Sequence, residues 1–163
     1  MAQRSSGFDM SKLTTGSWIL LGGGVLLLLD SFIFSWQKVC LDLGDLGGLA
    51  GVGGLCAKAS MWGGDAGWAG VIAGLLVIAL IVWEVIALAG LSMSLPMAAS
   101  KISAYIGFAT LAFVIIKFLL IMTNDVSFGG FLGLIFALGI GYGAWMRFQE
   151  PQVSAAPPPP PAL

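Results

Sequence analysis

The stretch 17–36, SWILLGGGVLLLLDSFIFSW, runs for 20 residues with a single charge, Asp30. A bilayer hydrocarbon core is roughly 30 Å thick and an α-helix rises about 1.5 Å per residue, so about 20 apolar residues cross it. Three further runs of this kind follow, at 68–91, 102–122 and 128–148. The pattern predicts an all-α membrane protein. Residues 1–148 form a four-transmembrane-helix bundle, with a Gly-rich extracytoplasmic loop at 37–67. Residues 149–163 form a disordered, proline-rich cytoplasmic tail.

Composition agrees with that class and excludes others. Charged residues make up 9% of the chain and hydrophobic ones 58%, against about 25% charged in an ordinary soluble domain. A net charge of −1 leaves no basic face to neutralise phosphates, so nucleic acid is not an expected partner. The chain has no histidine, which removes imidazole catalysis and His-ligated metal centres. No metal site, cofactor or enzymatic activity is expected, because no nucleophile–base set, metal cluster or phosphate loop is visible.

Basic residues near span ends set orientation. With both termini cytoplasmic, Arg4, Lys12, Lys101 and Arg147 lie inside and Lys38 and Lys58 outside. The first span reads as an uncleaved anchor, since its apolar stretch is too long for a signal peptide and no small-residue cleavage site follows. Pro96 ends helix continuation in the turn between the second and third spans. The outer loop repeats Leu43, Leu46, Leu49, Val52 and Leu55 every third residue, a pattern suited to a loosely helical or 3₁₀ segment on the membrane surface. Partner docking is the alternative use of that edge. Cys40 and Cys56 bracket the segment on the oxidising side, so a disulfide between them is expected. The run of prolines at 157–161 favours extended polyproline II.

Three ionisable residues sit inside spans, where each charge needs a partner or a use. Asp30 and Lys117 lie at nearly the same depth, which predicts an intramembrane ion pair. Glu84 lies deeper toward the cytoplasmic side, level with Tyr142 and with Gly22, Gly23 and Gly24. It is the protonatable intramembrane site of the chain, expected to meet the Tyr142 hydroxyl rather than a cation. Seven-residue spacing supports an interior polar seam: Ser103, Thr110 and Lys117; Gly16, Gly23 and Asp30; Gly70, Val77 and Glu84. Gly129, Gly133, Ala137 and Gly141 form a small-residue stripe for helix packing, and Ala66, Gly70 and Gly74 a shorter one. Internal packing is the expected use, with homo-oligomerisation the alternative. Trp36, Trp62 and Trp68 mark one membrane boundary and Trp18 and Trp145 the other, while Trp83 sits deeper, for packing or lipid contact.

The stretch 11–36, SKLTTGSWILLGGGVLLLLDSFIFSW, resembles a group of small, uncharacterised four-span membrane proteins of actinobacterial type. They share a K-L-[ST]-x-G leader, an apolar run and an [ST]-F-x-x-W-like exit. Ser35 stands where many of the group have proline. The resemblance implies the four-span plan and a Gly-rich outer loop, and brings no catalytic residues. The plan is also similar in outline to claudin-like tetraspans, without their W…GLW…C…C pattern.

Two functions are compatible with these features. One is a non-enzymatic accessory or scaffold subunit of a cell-envelope membrane complex, with protein partners or a homo-oligomer as its associates besides the lipid bilayer. The other is a small proton- or cation-coupled transporter or channel-forming oligomer, using Glu84 with the Asp30–Lys117 pair.

Overall fold

The computed structural model describes residues 14–41, 55–89, 97–123 and 126–150. Four helices carry the fold: α1 (Thr15–Ile33), α2 (Gly67–Leu88), α3 (Ala99–Ile121) and α4 (Phe128–Gln149). Each is long and apolar enough to cross a membrane. They pack as a ring in which α1 contacts α2 and α4, and α3 contacts α2 and α4. Consecutive helices are thus neighbours, and α4 closes the ring on α1, as short antiparallel connections require.

The helices are apolar outside and polar within. Phe32, Leu75, Leu119 and Ile135 are exposed, whereas Asp30, Glu84, Ser103, Thr110 and Lys117 are buried. A water-soluble bundle shows the reverse distribution. Leu20, Leu27, Val77, Leu80, Val114 and Ile140 fill the centre of the core. The heptad triplets all turn inward as the spacing predicts. On α3 the Ser103 and Thr110 hydroxyls donate to the carbonyls one turn earlier, Ala99 at 3.2 Å and Ile106 at 2.9 Å. Each of these two hydroxyls is thus satisfied within its own helix, as an apolar interior demands.

The all-α expectation needs a correction at one end. Strands β1 (Gln37–Leu41) and β2 (Leu55–Ala59) pair antiparallel within the outer loop, on either side of the leucine repeat expected to be loosely helical. A further bridge joins Gln37 to Val126, and the Ser127 amide donates to the Trp36 carbonyl at 2.9 Å. The hairpin is therefore tied to the turn preceding α4. Chain exit explains the change: α1 ends at Ile33, and Phe34 is extended (φ −105°, ψ 142°). Residues 34–36 leave the helix and give β1 its direction. Of the triplet pattern, 43–52 lies outside the described residues, as do the tail at 151–163, the turn at 90–96, and Arg4 and Lys12. Only Leu55 falls within them, and it opens β2.

The small-residue stripe on α4 is occupied inside the molecule. A side chain at Gly129 would meet the Ser35 carbonyl at 2.7 Å, and one at Gly133 the Trp36 ring; one at Gly141 would meet Leu111 of α3 at 2.5 Å. Ala137 is fully buried between them. The stripe thus packs α4 on its own chain and is closed to a second copy.

The hairpin register sets Cys40 directly opposite Cys56. Opposed antiparallel residues have Cα atoms about 4.5–5.5 Å apart, within the range a disulfide spans. We expect peptide mapping of the non-reduced protein to recover the two cysteine peptides as one linked species. Labelling of both thiols in intact cells is the contrary result.

Candidate functional site

Buried charge gathers at the two ends of the bundle, the hairpin end and the end where α2 and α4 terminate. At the hairpin end Asp30, on the last turn but one of α1, is 2% exposed. Its Oδ2 accepts from the Trp36 indole Nε1 at 2.8 Å. Trp36 is itself fully buried and is not a boundary tryptophan. The early end of α1 is what lets it fold back over the carboxylate, against Gly133 of α4. Asp30 Oδ1 has no hydrogen-bond partner among the described residues.

Beside this pair, residues 60–66 turn back into the mouth of the bundle. Met61 is fully buried, and its carbonyl lies where a side chain at Gly70 would stand. The Trp62 ring fills the equivalent space at Gly74, stacks on Phe32 at 5.3 Å, and donates to the Ser31 hydroxyl at 3.2 Å. The short stripe on α2 is therefore a socket for this segment. Two left-handed residues make the turn, Gly64 (φ +69°) and Ala66 (φ +53°). Only Gly64 is free of the Cβ penalty such backbone imposes.

Lys117, from α3, holds the inserted segment by its backbone. Its ammonium donates to the Gly63 and Asp65 carbonyls, each at 3.0 Å. Gln37 completes the attachment, since its Nε2 donates to Asp65 Oδ2 at 3.2 Å and its Oε1 accepts from the Asp65 amide at 3.1 Å. Hairpin, inserted segment and α3 are thus joined through Asp65.

The expected Asp30–Lys117 ion pair is not formed. Depth alone suggested it, but α1 and α3 are diagonal in the ring, and each side chain has a nearer partner. Those partners, Trp36 and the carbonyls of residues 63 and 65, come from the loop, whose re-entry no hydropathy pattern signals.

At the other end, Glu84 is buried and faces a cation after all. Arg147 Nη2 lies 3.6 Å from Glu84 Oε1, and Arg147 Nη1 donates to Glu150 Oε2 at 2.7 Å. The first is an ionic contact longer than a hydrogen bond, and neither Glu84 Oε1 nor Arg147 Nε has a hydrogen-bond partner among the described residues. Tyr142 points away from Glu84 and is 61% exposed. Arg147, read from its position as an interfacial residue, instead sends its long side chain inward across Gly16 of α1. A Cβ at Gly16 would stand 3.0 Å from Arg147 Cγ, and one at Gly143 3.2 Å from the Gly16 carbonyl. This close approach of α1 and α4 gives the guanidinium its path. Trp83, next to Glu84, donates to the Ala99 carbonyl at 3.3 Å and ties α2 to the start of α3. Trp18, Trp68 and Trp145 remain exposed, as boundary residues would be.

The Asp30–Trp36 contact yields a stability prediction. Trp36→Phe removes the indole donor and leaves a buried carboxylate oxygen unpaired, at a cost of about 1–3 kcal/mol. Adding Asp30→Asn to that variant should recover part of the loss, because a neutral amide is cheaper to bury than a carboxylate. Thermal unfolding in detergent reads both; equal midpoints for the single and double variants would contradict the assignment. No family model, curated protein or solved structure matches this chain.

Proposed function

We propose that the chain is a non-enzymatic integral membrane protein, an accessory or scaffold subunit that binds a helix of a cell-envelope membrane complex. The observation that carries this reading is a row on α4. Phe128, Phe131, Ile135, Leu138, Tyr142 and Trp145 are all more than half exposed and follow a regular 3–4 spacing. That is the spacing of an a/d seam; the exposed row of α2, Trp68, Val71, Leu75, Ile78, Val82 and Val85, shares it, but only three of those six are more than half exposed. The α4 row is built of large side chains, lies opposite the packed small-residue stripe, and includes a hydroxyl that hydrocarbon does not satisfy. A transmembrane partner helix with small or polar residues along one face is the complementary surface.

The buried charges support the same reading. Lys117 and Arg147 each reach groups of other elements within the chain, so their role is cohesion of the bundle. The transporter reading rests on the oxygens without hydrogen-bond partners among the described residues, Asp30 Oδ1 and Glu84 Oε1. We place the protein in the cell membrane with the hairpin extracytoplasmic and both termini cytoplasmic, from the distribution of its basic residues.

A photo-crosslinking amino acid at Ile135 should capture one protein in intact membranes at much higher yield than the same group at Leu75, an exposed position of α2. Equal yields at the two positions, or capture only of a second copy of the chain, would overturn the accessory reading. Glu84→Gln provides a second test. It removes one of the two carboxylates that face Arg147 and leaves Glu150 at 2.7 Å in place, so the loss stays below the cost of breaking a buried pair outright, about 3–5 kcal/mol. We expect lower thermal stability and no change in proton flux into reconstituted vesicles. A wild-type proton flux that disappears in a folded Glu84→Gln protein would favour transport instead.

A further inference from the structure

The hairpin register sets Lys38 directly opposite Lys58. Like charges in that position destabilise a strand pair, yet both side chains are exposed, and among the described residues neither has a carboxylate within ion-pair range. Side-chain alternation puts the two lysines on the hairpin face opposite Gln37, which is buried against the bundle. Lys58 also lines an open groove of about 440 Å³ with Phe32, Ile33, Phe34, Ser35 and Ser60. Phe32 and Ile33 are 68% and 66% exposed and form the last turn of α1, where the apolar span ends. An ammonium thus stands over bare apolar side chains at the edge of the hydrocarbon layer, with a second ammonium across the strand.

We propose that this groove binds the headgroup of an acidic phospholipid. The phosphate lies against Lys58 and Lys38, relieving their repulsion, and an acyl chain runs down over Phe32 and Ile33. Two features favour a lipid over a soluble acidic partner: the floor of the groove is continuous with the lipid-facing side of α1, and the cations sit at headgroup height. Basic side chains at this level attract anionic lipid through charge, while their aliphatic stems lie along apolar surface.

The test is native mass spectrometry of the full chain in neutral detergent, with phosphatidylglycerol and phosphatidylcholine of identical acyl chains. Wild-type protein should retain the acidic lipid in preference, and K38Q/K58Q should lose that preference by about tenfold or more. Lys101→Gln should leave it intact, because Lys101 lies at the other end of the bundle. K38E alone converts the cross-strand repulsion into attraction. It should abolish the preference while raising the unfolding temperature, which separates lost binding from lost fold. Equal retention of the two lipids, a preference that survives K38Q/K58Q, or displacement of the acidic lipid by inorganic phosphate at equal concentration would each overturn the proposal.

Discussion

The absence of water around the helices is the constraint on which the structure turns. In hydrocarbon polar groups must find their partners inside the chain, and this chain answers its buried charges at its two ends by different means. At the hairpin end it brings loop backbone and indole nitrogen to the charges. Asp30 takes the Trp36 N–H at 2.8 Å, and Lys117 takes two carbonyls at 3.0 Å. At the opposite end it uses side chain against side chain, Arg147 between Glu84 and Glu150. The hairpin, the early end of α1, and the glycines of α2 and α4 follow from the first solution; Gly16 and Gly143 follow from the second.

The first solution explains why two glycine stripes that look alike do different work. On α4, Gly129 and Gly133 admit the Ser35 carbonyl and the Trp36 ring of the chain leaving α1, and Gly141 admits Leu111 of α3, so one stripe takes both a chain exit and a neighbouring helix. On α2, Gly70 and Gly74 admit the Met61 carbonyl and the Trp62 ring, so a helix takes up a loop. A four-residue glycine spacing reports close approach without saying what approaches. The aromatic rings decide it here. Trp36 and Trp62 flank the hairpin in sequence, and both turn inward to donate their indole N–H groups, to Asp30 and Ser31.

Much of this arrangement is legible in the sequence, and the part that is not has a definable cause. Spans were legible because lipid crossing imposes a length and a hydropathy: the run beginning at Phe128 starts α4 at that residue. The inward faces were legible because seven-residue spacing keeps Ser103, Thr110 and Lys117 on one side of α3. Partner identity was not. Depth along a span fixes one coordinate of a side chain, but pairing also depends on which helices are neighbours and on what the loops insert. Asp30 and Lys117 matched in depth and sit on diagonal helices. Glu84 lacked a cation at its own depth, yet Arg147 reached it from nearer the helix end, a distance within the span of a long flexible side chain. The strands were missed for another reason. QKVCL and LCAKA are too short for an alternation to stand out from the glycine-rich sequence between them.

The two ends also differ in how fully their charges are answered, and this bears on what each can do. Lys117 donates to two carbonyls with Asp65 alongside, and the inserted segment cannot leave without stranding a buried ammonium. An uncompensated buried charge is among the more costly defects a fold can carry, so this end is locked. Arg147 is held less tightly. Its 3.6 Å contact with Glu84 is ionic without a hydrogen bond, its Nε lacks a partner among the described residues, and its shorter contact is to Glu150, one residue beyond the end of α4. A single guanidinium, lying against Gly16, thus links Glu150 just past α4 to Glu84. The exposed seam of α4 runs along the same helix, ending at Trp145, two residues before Arg147. A partner helix seated on that seam would act on the element that supplies Arg147. On the accessory-subunit proposal, the Glu84–Arg147 contact is where a partner on the outside of the bundle would meet the charge network within it.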